Sequence, residues 1–378
     1  MLVLNDDQVM LQDAARGFVS EKAPVAALRK IRDEKIADGF DRGLWRSMAE
    51  MGWTGVLVPE DQGGLGFGFV GAGVICEEMG RTLTASPFLS TAMMAATALS
   101  RAGSPAQKER WLPAIVAGEA VIATAVDEGR RHDPAGTAMR AERHGNGFRL
   151  SGTKAYVVDG QAADAVLVAA RTAGSAGETG GFSLFLVETA TRGLSAERLS
   201  TLDSRGAAEL TFDGVEVTAD AVVGEVDDGF PLLEIVLGAG RAGLAAELSG
   251  NAQESFDRTM AYLRERKQFG RTIGAFQALQ HRAAHLFCEV EVARSAVLAA
   301  LQALDADPAG ASLAVSVAKS KASSVARLAA QEAVQMHGGI GMTDAIDIGL
   351  FMKRMQVAST LYGDADFHAD RVARARGF

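Results

Sequence analysis

The residues best suited to chemistry fall in three places. In Arg266-Lys267-Gln268-Phe269-Gly270-Arg271-Thr272-Ile273-Gly274-Ala275-Phe276-Gln277, cations, a glutamine and an exposed-looking phenylalanine stand beside glycines between helical segments. A helix pair further on, Gln335-Met336-His337-Gly338-Gly339-Ile340-Gly341 ends an apolar helix in a glycine cluster, where main-chain N–H groups approach an anion closely. Neither stretch reads as plain core. The third place is Glu247, in Ala245-Ala246-Glu247-Leu248-Ser249-Gly250. The small and apolar residues around it imply tight helix packing. An unpaired buried carboxylate is costly, so Glu247 is paired, functional, or both. Arg241 and Arg282 are its candidate partners. His281 and His285 have an i,i+4 spacing that a metal could use. Their His-Arg-Ala-Ala-His stretch lacks the Glu of the zinc hydrolase motif, so a surface helix face is the better reading.

Three parts of the chain must position these groups. Residues 1–118 read as helical. Asn5 or Asp6 can cap a first helix carrying Val9, Leu11, Ala15 and Phe18, and Trp45, Met48 and Ala49 mark another helix face. Gly66-Phe67-Gly68-Phe69-Val70-Gly71 matches the bare glycine pattern of a dinucleotide loop. It follows a Pro-Glu-Asp-Gln-Gly-Gly loop rather than a strand, so a surface loop is the better account. Residues 119–224 change period. Phe148 and Leu150 alternate with polar residues, Ala165–Ala170 and Phe182–Val187 are short apolar runs, and Leu210–Val217 alternates around a turn. A middle β-barrel-like domain is expected. In residues 225–378 helix period returns, with Leu286, Val290, Val297 and Leu301 on one face and a long helix over about 311–336. This part reads as a C-terminal four-helix bundle. The fold class is α+β, mainly α.

Composition bounds the function classes. Apolar residues make up 48% and charged residues 22% of 378, as in an ordinary globular chain of two or three domains. A net charge of −9 argues against nucleic-acid binding through phosphates and against an anionic membrane surface. Cys76 and Cys288 offer neither a disulfide framework nor a zinc spacing, which points to a reducing, cytoplasmic compartment. Met1-Leu2-Val3-Leu4-Asn5-Asp6-Asp7 lacks the features of a secretory leader, and no apolar run is long enough to span a membrane.

Together the 266–277 and 335–341 stretches resemble the C-terminal signature of the acyl-CoA dehydrogenase family, whose members oxidise the Cα–Cβ bond of acyl thioesters using FAD. The loop Val58-Pro59-Glu60-Asp61-Gln62-Gly63-Gly64-Leu65-Gly66, followed by Glu77-Glu78-Met79-Gly80-Arg81, is similar to the family's first domain. The resemblance covers nearly the whole chain. Desaturating an unactivated C–C bond needs a base for the α-proton and a hydride acceptor. No side chain accepts hydride, so a cofactor is required. The resemblance implies that Arg266 neutralises the FAD pyrophosphate and that Gln268 and Phe269 contact the ADP portion. It also implies that Gln335, Gly338 and Gly339 hold that portion from a neighbouring subunit. An acyl-CoA substrate and an electron-transfer flavoprotein partner follow from it.

The chain departs from the family's pattern at the reacting centre. Where many members carry Tyr-Glu-Gly-Thr, it has Tyr362-Gly363-Asp364-Ala365. Where a minority place the base just before an arginine matching Arg241, it has Gly240. Glu247, seven residues past Gly240, lies about 10 Å further along the helix axis. Asp364, beside Gly363, is the other carboxylate candidate for the base. In Ser151-Gly152-Thr153-Lys154-Ala155-Tyr156-Val157-Val158, Tyr156 stands where the family has Trp against the flavin, and Val158 stands where it has Thr. This combination resembles the smaller subunit of two-chain acyl-CoA dehydrogenases acting on dicarboxylyl-CoA or steroid side chains. Three readings follow: an active dehydrogenase with a relocated base, a non-catalytic subunit sharing FAD with a paralogue, and a flavin oxidase or monooxygenase on the same fold. The chain is expected as a homo-oligomer or a heterotetramer.

Overall fold

A computed structural model describes residues 3–378, so the first two residues of the stretch read for a leader lie outside it. Helices α1 (Asp6–Lys22), α2 (Val25–Asp33), α3 (Arg42–Glu50), α4 (Gly68–Thr82), α5 (Ala96–Ala102) and α6 (Pro105–Val116) come first. Strands β1 (Ile122–Ala125), β2 (Arg140–His144), β3 (Gly147–Val158), β4 (Ala165–Arg171), β5 (Phe182–Glu188), β6 (Leu194–Arg198), β7 (Ala207–Thr218) and β8 (Val222–Val223) follow. Helix α7 (Phe230–Glu265), the small strands β9 (Lys267–Gln268) and β10 (Arg271–Thr272), and helices α8 (Gln277–Ala306), α9 (Ser312–His337), α10 (Ile348–Thr360) and α11 (Ala365–Ala375) complete the chain.

These elements gather into two compact units. One comprises Met1–Arg29, Phe69–Thr84 and Arg241–Phe378; the other comprises Lys30–Gly68 and Ala85–Gly240. The first 118 residues are therefore divided between the two.

In the first unit α9 packs against α8, α10 and α11. Leu286, Val290, Val297 and Leu301 of α8 are all buried, as their spacing predicts. Asn5, not Asp6, caps α1, and it forms a reciprocal box with Gln8. Val9 is exposed rather than core, because α1 turns Gln12, Ala15 and Val19 inward. Asp305, at the end of α8, accepts from Phe69 N at 2.5 Å and Val70 N at 3.1 Å. It thus satisfies the first N–H groups of α4, the place a dinucleotide phosphate would need.

The second unit holds the sheet, in the order β6-β7-β3-β2-β4-β5-β8 with β1 also on β4. No barrel closes. β6 pairs only with β7 and β8 only with β5 among the described residues, so both edges stay open. The sheet splays where β2 and β4 share a single pair, Arg140 with Arg171, and β1 takes the rest of that edge in parallel. Asp213-Gly214 is not a turn. β7 runs through it, and a register shift opposite Leu150 and Gly152 makes it a bulge with Gly214 at φ 61°. Phe148, Phe182, Phe185 and Phe212 fill this core together with Trp45 and Trp53, each burial contributing about 1.5–3 kcal/mol.

Candidate functional site

The residues after α7 form a tight hairpin. Arg271 pairs with Gln268 and Thr272 with Lys267, and the turn residues Phe269 and Gly270 both have positive φ, 54° and 79°. That geometry pushes Phe269 outward to 90% exposure. Phe276 packs edge-on to Phe269, and Arg271 lies 4.2 Å from the centre of the Phe276 ring. Arg266 is exposed and makes no ion pair among the described residues.

The second motif ends α9. Gly338 has φ 67° and ψ −145°, a conformation that L side chains avoid. A Cβ at Gly338 or Gly339 would meet nothing within 4 Å, so the main chain there is open to a ligand. Gln335 is exposed beside it. His337 is a packed spacer: Nδ1 meets Ala333 O at 2.7 Å, and burial lowers its pKa, which keeps the ring neutral. Its ring stacks on Tyr262 at 4.4 Å, one helical turn before Arg266. This contact brings the two motifs to the same end of the unit, although some seventy residues of chain separate them.

Glu247 is paired, and the partner is Arg354. Its two carboxylate oxygens accept from Arg354 Nε at 2.7 Å and from a terminal guanidinium nitrogen at 2.8 Å, with both side chains buried. Arg282 pairs instead with Glu332, and Arg241 Nε donates to Tyr362 O at 3.1 Å. Arg241 is buried and lies over the Phe367 ring. Asp364 caps α11, its carboxylate accepting from Phe367 N at 2.8 Å. His281 and His285 are exposed on α8.

The Gly363 position is closed to a side chain. Its φ is 106°, and a Cβ there would collide with Phe367 Cδ1 and lie 2.8 Å from His368 Nε2. His368 accepts at Nδ1 from the Ser316 hydroxyl and donates from Nε2 to Tyr362 O; burial, then Arg241, pushes its pKa down to about 2. Lys319, fully buried on α9, donates to Ser359 O and Gly363 O, each at 3.0 Å.

The second unit holds the other positions. β3 loses register with β7 between Lys154 and Val157, and within that irregularity Tyr156 takes φ 49°, leaving its ring half-buried. Val158, also half-buried, pairs with Ala207. Lys154 anchors the strand from the buried side by donating to Val126 O and the Glu128 carboxylate. The Gly240 position is filled: a Cβ would lie 2.7 Å from Met94 Sδ. Met94 belongs to a fully buried π-helical turn, Phe88–Ala95, a conformation common at functional sites.

Sequence reasoning missed Arg354, Lys319, His368 and Met94. A polar stripe at Ser316, Lys319 and Ser323 on an otherwise alanine-rich helix was the available signal for Lys319. For Arg354 and Met94 the partner lies too far away in sequence to be read.

Family models and known relatives match nearly the whole chain. Models of the acyl-CoA dehydrogenase N-terminal, middle and C-terminal domains match residues 5–119, 123–215 and 227–376. The chain is 30% identical to a 2-methylacyl-CoA dehydrogenase, mitochondrial, of Solanum tuberosum, over 97% of this chain and 89% of the relative. Among solved structures it is similar to the butyryl-CoA dehydrogenase of Megasphaera elsdenii, at TM-score 0.91 and 25% identity, covering 99% of each chain. It is also similar to one chain of the ChsE4-ChsE5 complex from Mycobacterium tuberculosis, at TM-score 0.90 and 27% identity, covering 100% of this chain and 98% of that one.

Proposed function

The chain belongs to the acyl-CoA dehydrogenase family, and from that premise we propose that it is an FAD-binding subunit of a heteromeric enzyme that desaturates an acyl-CoA thioester, with the base on a paralogous chain. One observation carries this reading. Both positions where a base could be seated are closed, Gly240 by Met94 and Gly363 by Phe367 and His368, while Glu247 is committed to Arg354. A carboxylate with both oxygens on a buried guanidinium is a poor proton acceptor, because the cation stabilises its charged form.

The residues at the end of the first unit fit FAD. An exposed cation at Arg266, an exposed aromatic at Phe269 and open main chain at Gly338 and Gly339 suit a pyrophosphate and an adenine. Arg266 is assigned to the pyrophosphate, and Gln268, Phe269, Gln335, Gly338 and Gly339 to the ADP portion. Tyr156 and Val158 are assigned to the flavin ring, with no hydroxyl available from Val158. When bound, FAD supplies the hydride acceptor that no side chain provides. Asp364 is assigned to capping α11 and Arg241 to holding Tyr362, not to proton transfer. The acyl group belongs to the dicarboxylyl or steroid side-chain class, and an electron-transfer flavoprotein takes the electrons. No helix among the described residues is long and apolar enough to cross a membrane. The bundle, rich in alanine and leucine, also offers surface for association.

The test is purification with and without a co-expressed paralogous chain, reading flavin absorbance and activity on an acyl-CoA panel. Activity and full flavin occupancy only in the co-purified complex are expected. Full turnover by this chain alone would return the base to it.

A further inference from the structure

The bend from α10 into α11 is strained and held by buried donors. Tyr362 has φ 54° and Gly363 has φ 106°, and such a conformation on a tyrosine persists only where its surroundings over-determine it. Here they do. Tyr362 O accepts from Arg241 Nε at 3.1 Å and from His368 Nε2 at 3.2 Å. Gly363 O and Ser359 O both accept from Lys319 Nζ at 3.0 Å, and the Ser323 hydroxyl completes the ammonium's set at 3.4 Å. All three partners of Lys319 are neutral, which is unusual for a lysine with no exposed surface. Neither the reading of the cofactor site nor that of the base uses this residue.

We propose that Lys319 is a positioning residue whose charged ammonium clamps the Ser359–Gly363 bend, and that loss of its proton loosens the bend while the rest of the fold stays closed. The ammonium brings three N–H donors to three acceptors. The amine keeps two, and its bonds lose the charge assistance that roughly doubles their strength. The charges facing it come from α7, α10 and the start of α11, and among the described residues none comes from α8. Arg241 on α7 and Arg354 on α10 are cations, with Arg354 held by Glu247. Asp364 is the carboxylate nearby, already capping α11, and His368 on α11 is neutral. Burial first, then Arg241, lowers Lys319 to about 7, so the change falls near neutral pH.

The global effect has the opposite sign to the local one. An unfolded lysine titrates at about 10.5 and the folded one at about 7. Between those values the unfolded chain binds more protons, so this group makes unfolding harder as pH rises through the window, with no slope below it. Alkaline loosening confined to the bend therefore cannot be ascribed to general destabilisation by this group.

Hydrogen exchange on the intact protein, in whatever assembly it purifies, decides the matter. Protection factors for peptides over 359–364 are measured more than one unit below and above about 7, corrected for intrinsic exchange. In the wild type they are expected to fall by about tenfold across that interval while α8 peptides hold. Lys319→Arg keeps its charge and should abolish the fall. Lys319→Met should leave the bend weakly protected at both pH values. A pH-independent bend in the wild type overturns the proposal, and so does wild-type protection in Lys319→Met. If the Met variant does not fold, the wild type and Lys319→Arg still decide it.

Discussion

Replacing Glu247 with glutamine distinguishes a structural carboxylate from a catalytic one. Both carboxylate oxygens bind Arg354, at 2.7 and 2.8 Å, in a pair whose side chains are 7% and 5% exposed. Solvent screening is therefore slight. Glutamine retains the shape and one acceptor, but it turns an amide N–H toward the guanidinium and strands the positive charge. Removing one partner of a buried ion pair costs about 3–5 kcal/mol. At roughly 2–4 °C per kcal/mol for units of this size, the melting midpoint should drop by about 6 °C or more. Denaturant unfolding of Glu247→Gln measures that cost, and the cycle of Glu247→Leu, Arg354→Met and the double variant Glu247→Leu/Arg354→Met measures the coupling. The double variant should recover most of the loss, because the desolvation cost of both charges disappears together. One result refutes this reasoning: Glu247→Gln as stable as the wild type but unable to reduce its flavin with acyl-CoA. That outcome would make Glu247 the base.

Arg266→Ala should weaken FAD retention by one or two charge-assisted contacts of about 1.5–3 kcal/mol each, read as flavin absorbance after dialysis; full retention would remove Arg266 from the site. Asp305→Ala removes the two acceptors that cap α4 from α8, and should cost about 1–2 kcal/mol in denaturant unfolding without touching flavin occupancy. Light scattering at micromolar concentration should find a particle well above 39.5 kDa, and a monomer would count against a site shared between subunits.

By itself the sequence determined the element types, the division into helical, sheet and helical stretches, and the positions of the two glycine-bearing motifs that interrupt the helices. Local physics suffices for these. The buried row Leu286, Val290, Val297 and Leu301 follows from helical period, and the alternation at Phe148 and Leu150 follows from the pleat. The glycine at 338 was visible too, because an unusual backbone needs an unusual residue. Tertiary structure alone decided the rest. Arg354 lies 107 residues from Glu247, so nothing local singles it out from the other arginines. The vacancies at Gly240 and Gly363 looked open in one dimension. In three dimensions Met94, Phe367 and His368 fill them, because a packed interior leaves no empty seat where a side chain is missing. Sheet closure was likewise beyond local reading: whether the edges of β6 and β8 meet depends on how β4 divides its edge between β1 and β2, a choice made by register across distant strands.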